Sequence, residues 1–230
     1  GASQVWKILI QLPKILMTIV QERIYLKNLI KSRKIACIIS DHRYGLFHKD
    51  LLSILIIHQL HMQFPRKLKV FETLFNWFQN RVLRQFDQIW IPDYPGEMSI
   101  AGRLSDAPLK MKHIHYIGIL SRFMFHEVEG VEPKKRYDIV VLLSGPEPQR
   151  SKLEKLLFDQ LTSTSTQVLF VRGLTNNAAP YRINNITFVS HLQPREMARV
   201  LRCAGQVICR SGYSSIMDMI ALGKTAILIP

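Results

Sequence analysis

The sequence is short of acid. Against 31 Lys and Arg it sets only 17 Asp and Glu, so its 230 residues carry a formal charge of +14. That balance points to an anionic partner: nucleotide phosphates, nucleic acid or an anionic membrane surface. Cysteine is scarce as well. Cys37, Cys203 and Cys209 stand at no metal-ligand spacing, which excludes a disulfide scaffold and reads as structural thiols in a reducing compartment. Long apolar runs are missing. Residues 5–20 are broken by Lys7, Gln11, Pro13 and Lys14, and nothing approaches the ~18–20 uncharged residues of a spanning helix. Neither G-x-G-x-x-G nor G-x-x-x-x-G-K-[ST] occurs, which weakens dinucleotide and P-loop readings. Nor is there a helix-turn-helix, finger or ribonucleoprotein signature, and the basic residues are spread out, so nucleic acid is not the expected partner. An initiating Met is absent too. The chain opens at Gly1 and stops at Pro230, at the mouth of a strand, and is expected to be a fragment of a longer enzyme.

What is present is a globular composition, 47% apolar and 21% charged. Helical periodicity over residues 4–29 is followed by the basic cluster Lys27, Lys31, Arg33 and Lys34. Apolar strands are expected at 35–39, 52–57, 89–91 and 116–120, with an aromatic-rich basic helix at 71–86. That helix reads as core, with an interfacial membrane face as the further reading. The second half alternates: strands at 138–143, 167–171, 186–189 and 206–209, helices at 151–161 and 194–203, and a polar loop at 175–185. A final β–turn–α–β unit spans 207–230. Strands alternating with ~10-residue helices indicate doubly wound α/β domains. The expected division is a first domain at 1–126, a linker at 127–137 and a second domain at 138–230.

Three stretches carry candidate chemistry. Arg210-Ser211-Gly212-Tyr213-Ser214-Ser215 sits where a strand becomes a helix, where free N–H groups and the helix dipole suit an anion. Asp218 lies one turn deeper, between Met217 and Met219, and a carboxylate there needs a partner or an opening to water. A ribose diol would serve; a solvated helix residue is the plainer alternative. Ser144-Gly145-Pro146-Glu147-Pro148-Gln149-Arg150 is a second small-residue turn, either a phosphate cradle with Arg150 adding charge or an ordinary βα turn. Asp41-His42-Arg43 and His58-Gln59 end neighbouring strands and suit a general base, a phosphate clamp or simple capping. A metal site from His42, His48, His58 and His61 is poorly spaced, and none is expected.

The run from Cys209-Arg210-Ser211-Gly212 through Asp218 to Ala221-Leu222-Gly223-Lys224-Thr225-Ala226-Ile227-Leu228-Ile229-Pro230 resembles the carboxyl-terminal domain of the MurG-type glycosyltransferases, the UDP-N-acetylglucosamine transferase type. The resemblance implies a GT-B architecture, two Rossmann-like domains facing each other across a cleft, both incomplete in this chain. It implies transfer of a sugar from a nucleotide-sugar, a UDP-sugar, to a lipid-linked or cell-envelope glycan acceptor. The nucleotide-sugar is co-substrate, with no further cofactor and no metal. By position, Asp218 falls on the family's ribose-binding acid, and Ser211, Gly212 and Ser214 on the turn beside the donor. Ser144 and Gly145 match the small residues of the domain's opening turn, and His191-Leu192 the loop that meets the base. Arg150 or Arg210 would add charge, and Asp41 and His58 are the candidate catalytic contributors of the first domain. Asp218→Ala should then weaken donor binding with little loss of stability. The expected location is cytoplasmic, peripheral on the inner face of the membrane. Two other readings stay open: a nucleotide-sugar epimerase of the same fold, and a non-catalytic anionic-membrane or nucleic-acid binder.

Overall fold

The computed structural model describes residues 2–60, 69–105, 113–124, 137–176 and 178–230. The chain divides into two compact units, Gly1–Gly118 and Ile119–Pro230.

The first unit opens on helix α1 (Ala2–Ser32), with Pro13 inside it. Then come β1 (Cys37–Asp41), β2 (Leu52–Ile56), α2 (Lys69–Leu83), β3 (Gln88–Ile91) and β4 (Ile114–Tyr116). The four strands pair in sequence order, all parallel. One face of the sheet packs Leu55, Ile57, Ile89 and Ile91 against Val82, Leu83 and Phe86. Helix α1 closes on the same region through Arg23, which donates to Gln85 Oε1 (2.9 Å) and lies 4.6 Å over the Phe47 ring. Two strands sit off their expected places. β1 begins two residues late. β4 precedes the expected 116–120: Ile117 N–H still donates to Ile91 O of β3 (2.9 Å), and Gly118, at φ +72°, then leaves the extended conformation.

The second unit contains β5 (Ile139–Leu142), α3 (Gln149–Leu161), β6 (Val168–Val171), β7 (Tyr181–Ile183), β8 (Ile186–Val189), α4 (Pro194–Cys203), β9 (Gln206–Arg210), α5 (Tyr213–Ala221) and β10 (Ala226–Ile229). Its sheet runs β10-β9-β5-β6-β8-β7, parallel except for the edge strand β7. Right-handed crossovers explain the layering. Progress from β5 to β6 places α3 on one face, and return through β9 and β10 places α4 and α5 on the other. The two cores agree: Leu157, Phe158 and Leu161 of α3 pack on Val141, Phe170 and Phe188. Met197, Ala198, Leu201, Met219 and Leu222 pack on Val140, Leu169, Val171 and Val207. Strands buried on both faces read as unbroken apolar runs, which is why Val140-Val141-Leu142 and Val168-Leu169-Phe170-Val171 were legible. The hairpin strand β7 lies in the expected polar loop; all three of its residues are exposed, and Asn184 turns it with φ +51°.

The expected linker lies outside the described residues up to 136. Residues 119–124, assigned from sequence to the first domain, pack on the second unit, with Phe123 only 2% exposed in its core.

Candidate functional site

Strand order locates the site. From β5 the chain steps to β6 on one side, and later returns to place β9 on the other, so the carboxyl ends of β5 and β9 flank a topological switch point. Leu142 pairs with Cys209, which sets Ser144-Gly145 directly beside Ser211-Gly212. The sequence-predicted turns therefore meet at one edge.

Between them lies Arg210. A Cβ on Gly145 would stand 3.3 Å from Arg210 Nη1, so the glycine, at φ +99°, makes room for the guanidinium. Arg210 is half-buried and makes no hydrogen bond or ion pair with described residues. Helix α5 starts at the same point without a side-chain cap, its first helical bond running from Ile216 N–H to Gly212 O (3.0 Å). Ser211, Gly212 and Ser214 are exposed there. A cation with no counter-ion among the described residues, beside a helix start without a side-chain cap, has the electrostatics that suit an anion. His191 is exposed in the loop after β8, while Leu192 packs on the core.

Arg150 does not join them. It is 7% exposed and committed to Glu147 Oε1 (2.6 Å), Glu154 Oε2 (2.6 Å) and Ser151 Oγ (2.9 Å). Acids at positions −3 and +4 of a helix reach the same side chain as neighbours on one face, and here they fold Arg150 inward. Glu147 also accepts from Ser151 N–H (3.3 Å) at the start of α3. Its carboxyl is held below the usual range by the Ser151 hydroxyl and then by Arg150. The negative charge of Glu147 is thus balanced within its own turn, and α3 already carries an anion at its N-terminus.

Asp218, in the second turn of α5, has a side chain 10% exposed. Its partners come from the segment ahead of β5. Ser121 Oγ–H donates to Oδ1 (2.6 Å) and Arg122 Nε pairs with Oδ2 (3.2 Å). The carboxylate's need is therefore met inside the chain, and the expectation that its removal costs little stability is revised. Sequence reading passed over Ser121 and Arg122, which lie 97 and 96 residues away (218 − 121 and 218 − 122) in a stretch with no motif. The Cys209 thiol is pushed up by burial and then by the Asp218 charge, which keeps it protonated.

In the first unit, Asp41 ends β1, exposed and in register with Ile56. His42 follows with φ +52°, and its Nε2 lies 2.8 Å from His58 Nδ1, the two rings edge to face at 4.5 Å between centroids. Burial lowers the pKa of both imidazoles, against the Asp41 charge that raises them; for His58, His42 lowers it further and Asp93 opposes. His48 instead meets the loop amide of Asp50 (3.3 Å). His61 lies outside the described residues, and among the described residues no three His, Cys, Asp or Glu gather in a metal-binding group.

Residues 152–230 match the family model of the glycosyltransferase family 28 C-terminal domain, about a third of the chain. No curated protein matches the chain. Among solved structures, the glycotransferase of kitacinnamycin aligns over 96% of this chain and 64% of its own, at 13% identity and a TM-score of 0.58. The glycosyltransferase SnogD from Streptomyces nogalater aligns over 87% of this chain and 56% of its own, at 13% identity and a TM-score of 0.47. The chain thus spans less than two thirds of either structure. Its fold is the Rossmann-like GT-B fold of glycosyltransferases, and its last 79 residues (230 − 152 + 1) match the family 28 C-terminal domain.

Proposed function

We propose that the chain belongs to a glycosyltransferase that moves a sugar from a nucleotide-sugar, a UDP-sugar, to a lipid-linked or cell-envelope glycan acceptor of the kind MurG-type enzymes use. The observation that carries this reading is Arg210, which has no counter-ion among the described residues and lies between two small-residue turns at the β5–β9 switch point. In transfer, an acceptor oxygen bonds to the anomeric carbon as that carbon's bond to phosphate breaks. The electron pair leaves with the nucleoside diphosphate and the acceptor proton passes to a base. Arg210 and the amide end of α5 oppose the charge that grows on the leaving diphosphate, a role a metal fills elsewhere. Ser144, Gly145, Ser211, Gly212 and Ser214 line the diphosphate, Asp218 takes the ribose hydroxyls, and His191-Leu192 lies towards the base. Asp41 and His58, with His42 beside it, serve the acceptor side.

A peripheral place on the inner face of an anionic membrane fits the outward Leu16, Val20 and Ile24 of α1, one helical turn apart, followed by exposed Lys27 and Lys31. Among the described residues no helix is long and apolar enough to span a bilayer.

The test is thermal unfolding with UDP-, GDP- and ADP-sugars. A UDP-sugar should stabilise by an amount that rises with the logarithm of its concentration over Kd, about 2.7 kcal/mol at a hundredfold excess. Arg210→Ala should lose about tenfold in affinity, the worth of one charge-assisted contact. Indifference of the parent protein to all three nucleotides would end the reading.

A further inference from the structure

Nothing in the sequence marks Ser121 or Arg122, yet they hold Asp218, a carboxylate buried beside the switch point. We propose that Ser121 and Arg122 are positioning residues that aim Asp218 at the 2′- and 3′-hydroxyls of a nucleotide ribose. The inference rests on the nucleotide-sugar reading of the same site.

Hydrogen-bond counting supports it. Ser121 is buried, and its Oγ accepts from Phe123 N–H (3.1 Å). Its single proton therefore goes to Asp218 Oδ1, and the hydroxyl cannot turn away. Arg122 uses Nε on Oδ2, while its side chain stays half exposed and its guanidinium lies 4.8 Å over the Phe123 ring. An ionised carboxylate offers about four acceptor directions, two on each oxygen. Among the described residues one on each oxygen is taken, and one on each remains. Two remaining acceptors on a fixed carboxylate plane match the two donors of a vicinal diol.

The clamp itself is rigid. Phe123 is sunk in the core shared by α4 and α5, and Leu120 N–H meets Met217 Sδ (3.4 Å), one residue from Asp218. Both side-chain torsions of Asp218 are thus set before a ligand arrives, which reduces the ordering cost of binding. The arrangement also implies selectivity. A 2′-deoxyribose would leave one acceptor of a nearly buried carboxylate unpaired, a loss larger than the missing contact alone.

The experiment is calorimetric titration of the full chain with UDP and with 2′-deoxy-UDP. The parent should favour UDP by about tenfold or more, as for one lost hydrogen bond to a charged group. Ser121→Ala and, separately, Arg122→Met should each weaken UDP and shrink the UDP to deoxy-UDP ratio towards one. Ser121→Thr, which keeps the hydroxyl, should restore both. Arg122 is half exposed, so Arg122→Met keeps the test available if Ser121→Ala fails to fold. A parental ratio in both variants, with the ratio lost in Asp218→Asn, overturns the positioning role alone. Absence of binding by either nucleotide to the parent overturns the nucleotide reading and this inference with it.

Discussion

At the scale of single residues, two buried carboxylates show how burial alone fails to identify a functional acid. Asp93 is fully buried and accepts from Tyr94 N–H (2.7 Å), Ile100 N–H (2.8 Å), Ala101 N–H (3.1 Å), Ser99 Oγ (2.8 Å) and Ser105 Oγ (2.7 Å). All five donors belong to its own loop, and they fill the carboxylate. Burial works to raise its pKa, but the hydrogen bonds, led by Ile100 and Ser105, bring it down to about 2. Its folded pKa lies below the unfolded value of 3.8, so its stabilisation is fully present above that value and lost as pH falls through about 2. The difference is on the order of 2 kcal/mol at neutral pH. Asp93→Asn should therefore cost about 3 kcal/mol in urea unfolding at pH 7 and flatten the pH dependence between 4 and 2. An unchanged acid limb would show that the loop is held by something else. Asp218, by contrast, has two donors among the described residues and a side chain 10% exposed, which leaves acceptor capacity unused there.

Turns rather than strands decide the site at the scale of elements, and two glycines there differ in what they protect. A Cβ on Gly173, at φ +66°, would stand 2.6 Å from the backbone oxygen of Leu143, which has no room to move. Gly173→Ala should cost about 2–3 kcal/mol and lower the unfolding temperature whether or not a nucleotide is present. On Gly145 the nearest atoms to the added Cβ all belong to Arg210, led by Nη1 at 3.3 Å, the far end of a flexible side chain. Gly145→Ala should cost about 1 kcal/mol of stability from its positive φ, yet lower UDP-sugar affinity by displacing that cation. Equal effects of the two substitutions on affinity would show that Arg210 is not a donor contact. The same contrast explains what could be read beforehand. Apolar runs such as Val168-Leu169-Phe170-Val171, and the α4 span starting at Pro194, followed from pattern because burial on both faces and a Pro at the first turn leave a local trace. Small residues at two strand ends pointed to Ser144 and Ser211, and parallel pairing brought them together. Arg150 misled, because two acids one turn away on either side bind a cation as well as any phosphate does. Strand β7 escaped because its three residues are exposed, and Ser121 and Arg122 because their partner lies almost a hundred residues on.

For the whole molecule, the division into two units predicts that its two candidate sites can be perturbed separately. The His42–His58 pair belongs to the first unit, and the switch-point site with Arg210 and Asp218 to the second. Both imidazoles have folded pKa values lowered below the ordinary 6.5, chiefly by burial. The unfolded chain then binds more protons than the folded one as pH falls below 6.5, so the pair's contribution is full above that value and declines beneath it. Asp41 moderates the decline by favouring the protonated rings, and Asp93 does so for His58. Hydrogen exchange followed from pH 7.5 to 5, corrected for intrinsic rates, should show protection falling first in β1 and β2 while β5, β6 and β9 hold theirs. UDP-sugar should do the reverse, slowing exchange in β5, β9 and α5 and leaving β1 and β2 as they were. His42→Gln should remove part of the acid effect in the first unit: the titration of His42 itself and its like-charge effect on His58 are lost, while the burial of His58 remains. If acid lowers protection equally in both sheets, or if His42→Gln leaves the first unit's response unchanged, the titration does not reside in this pair.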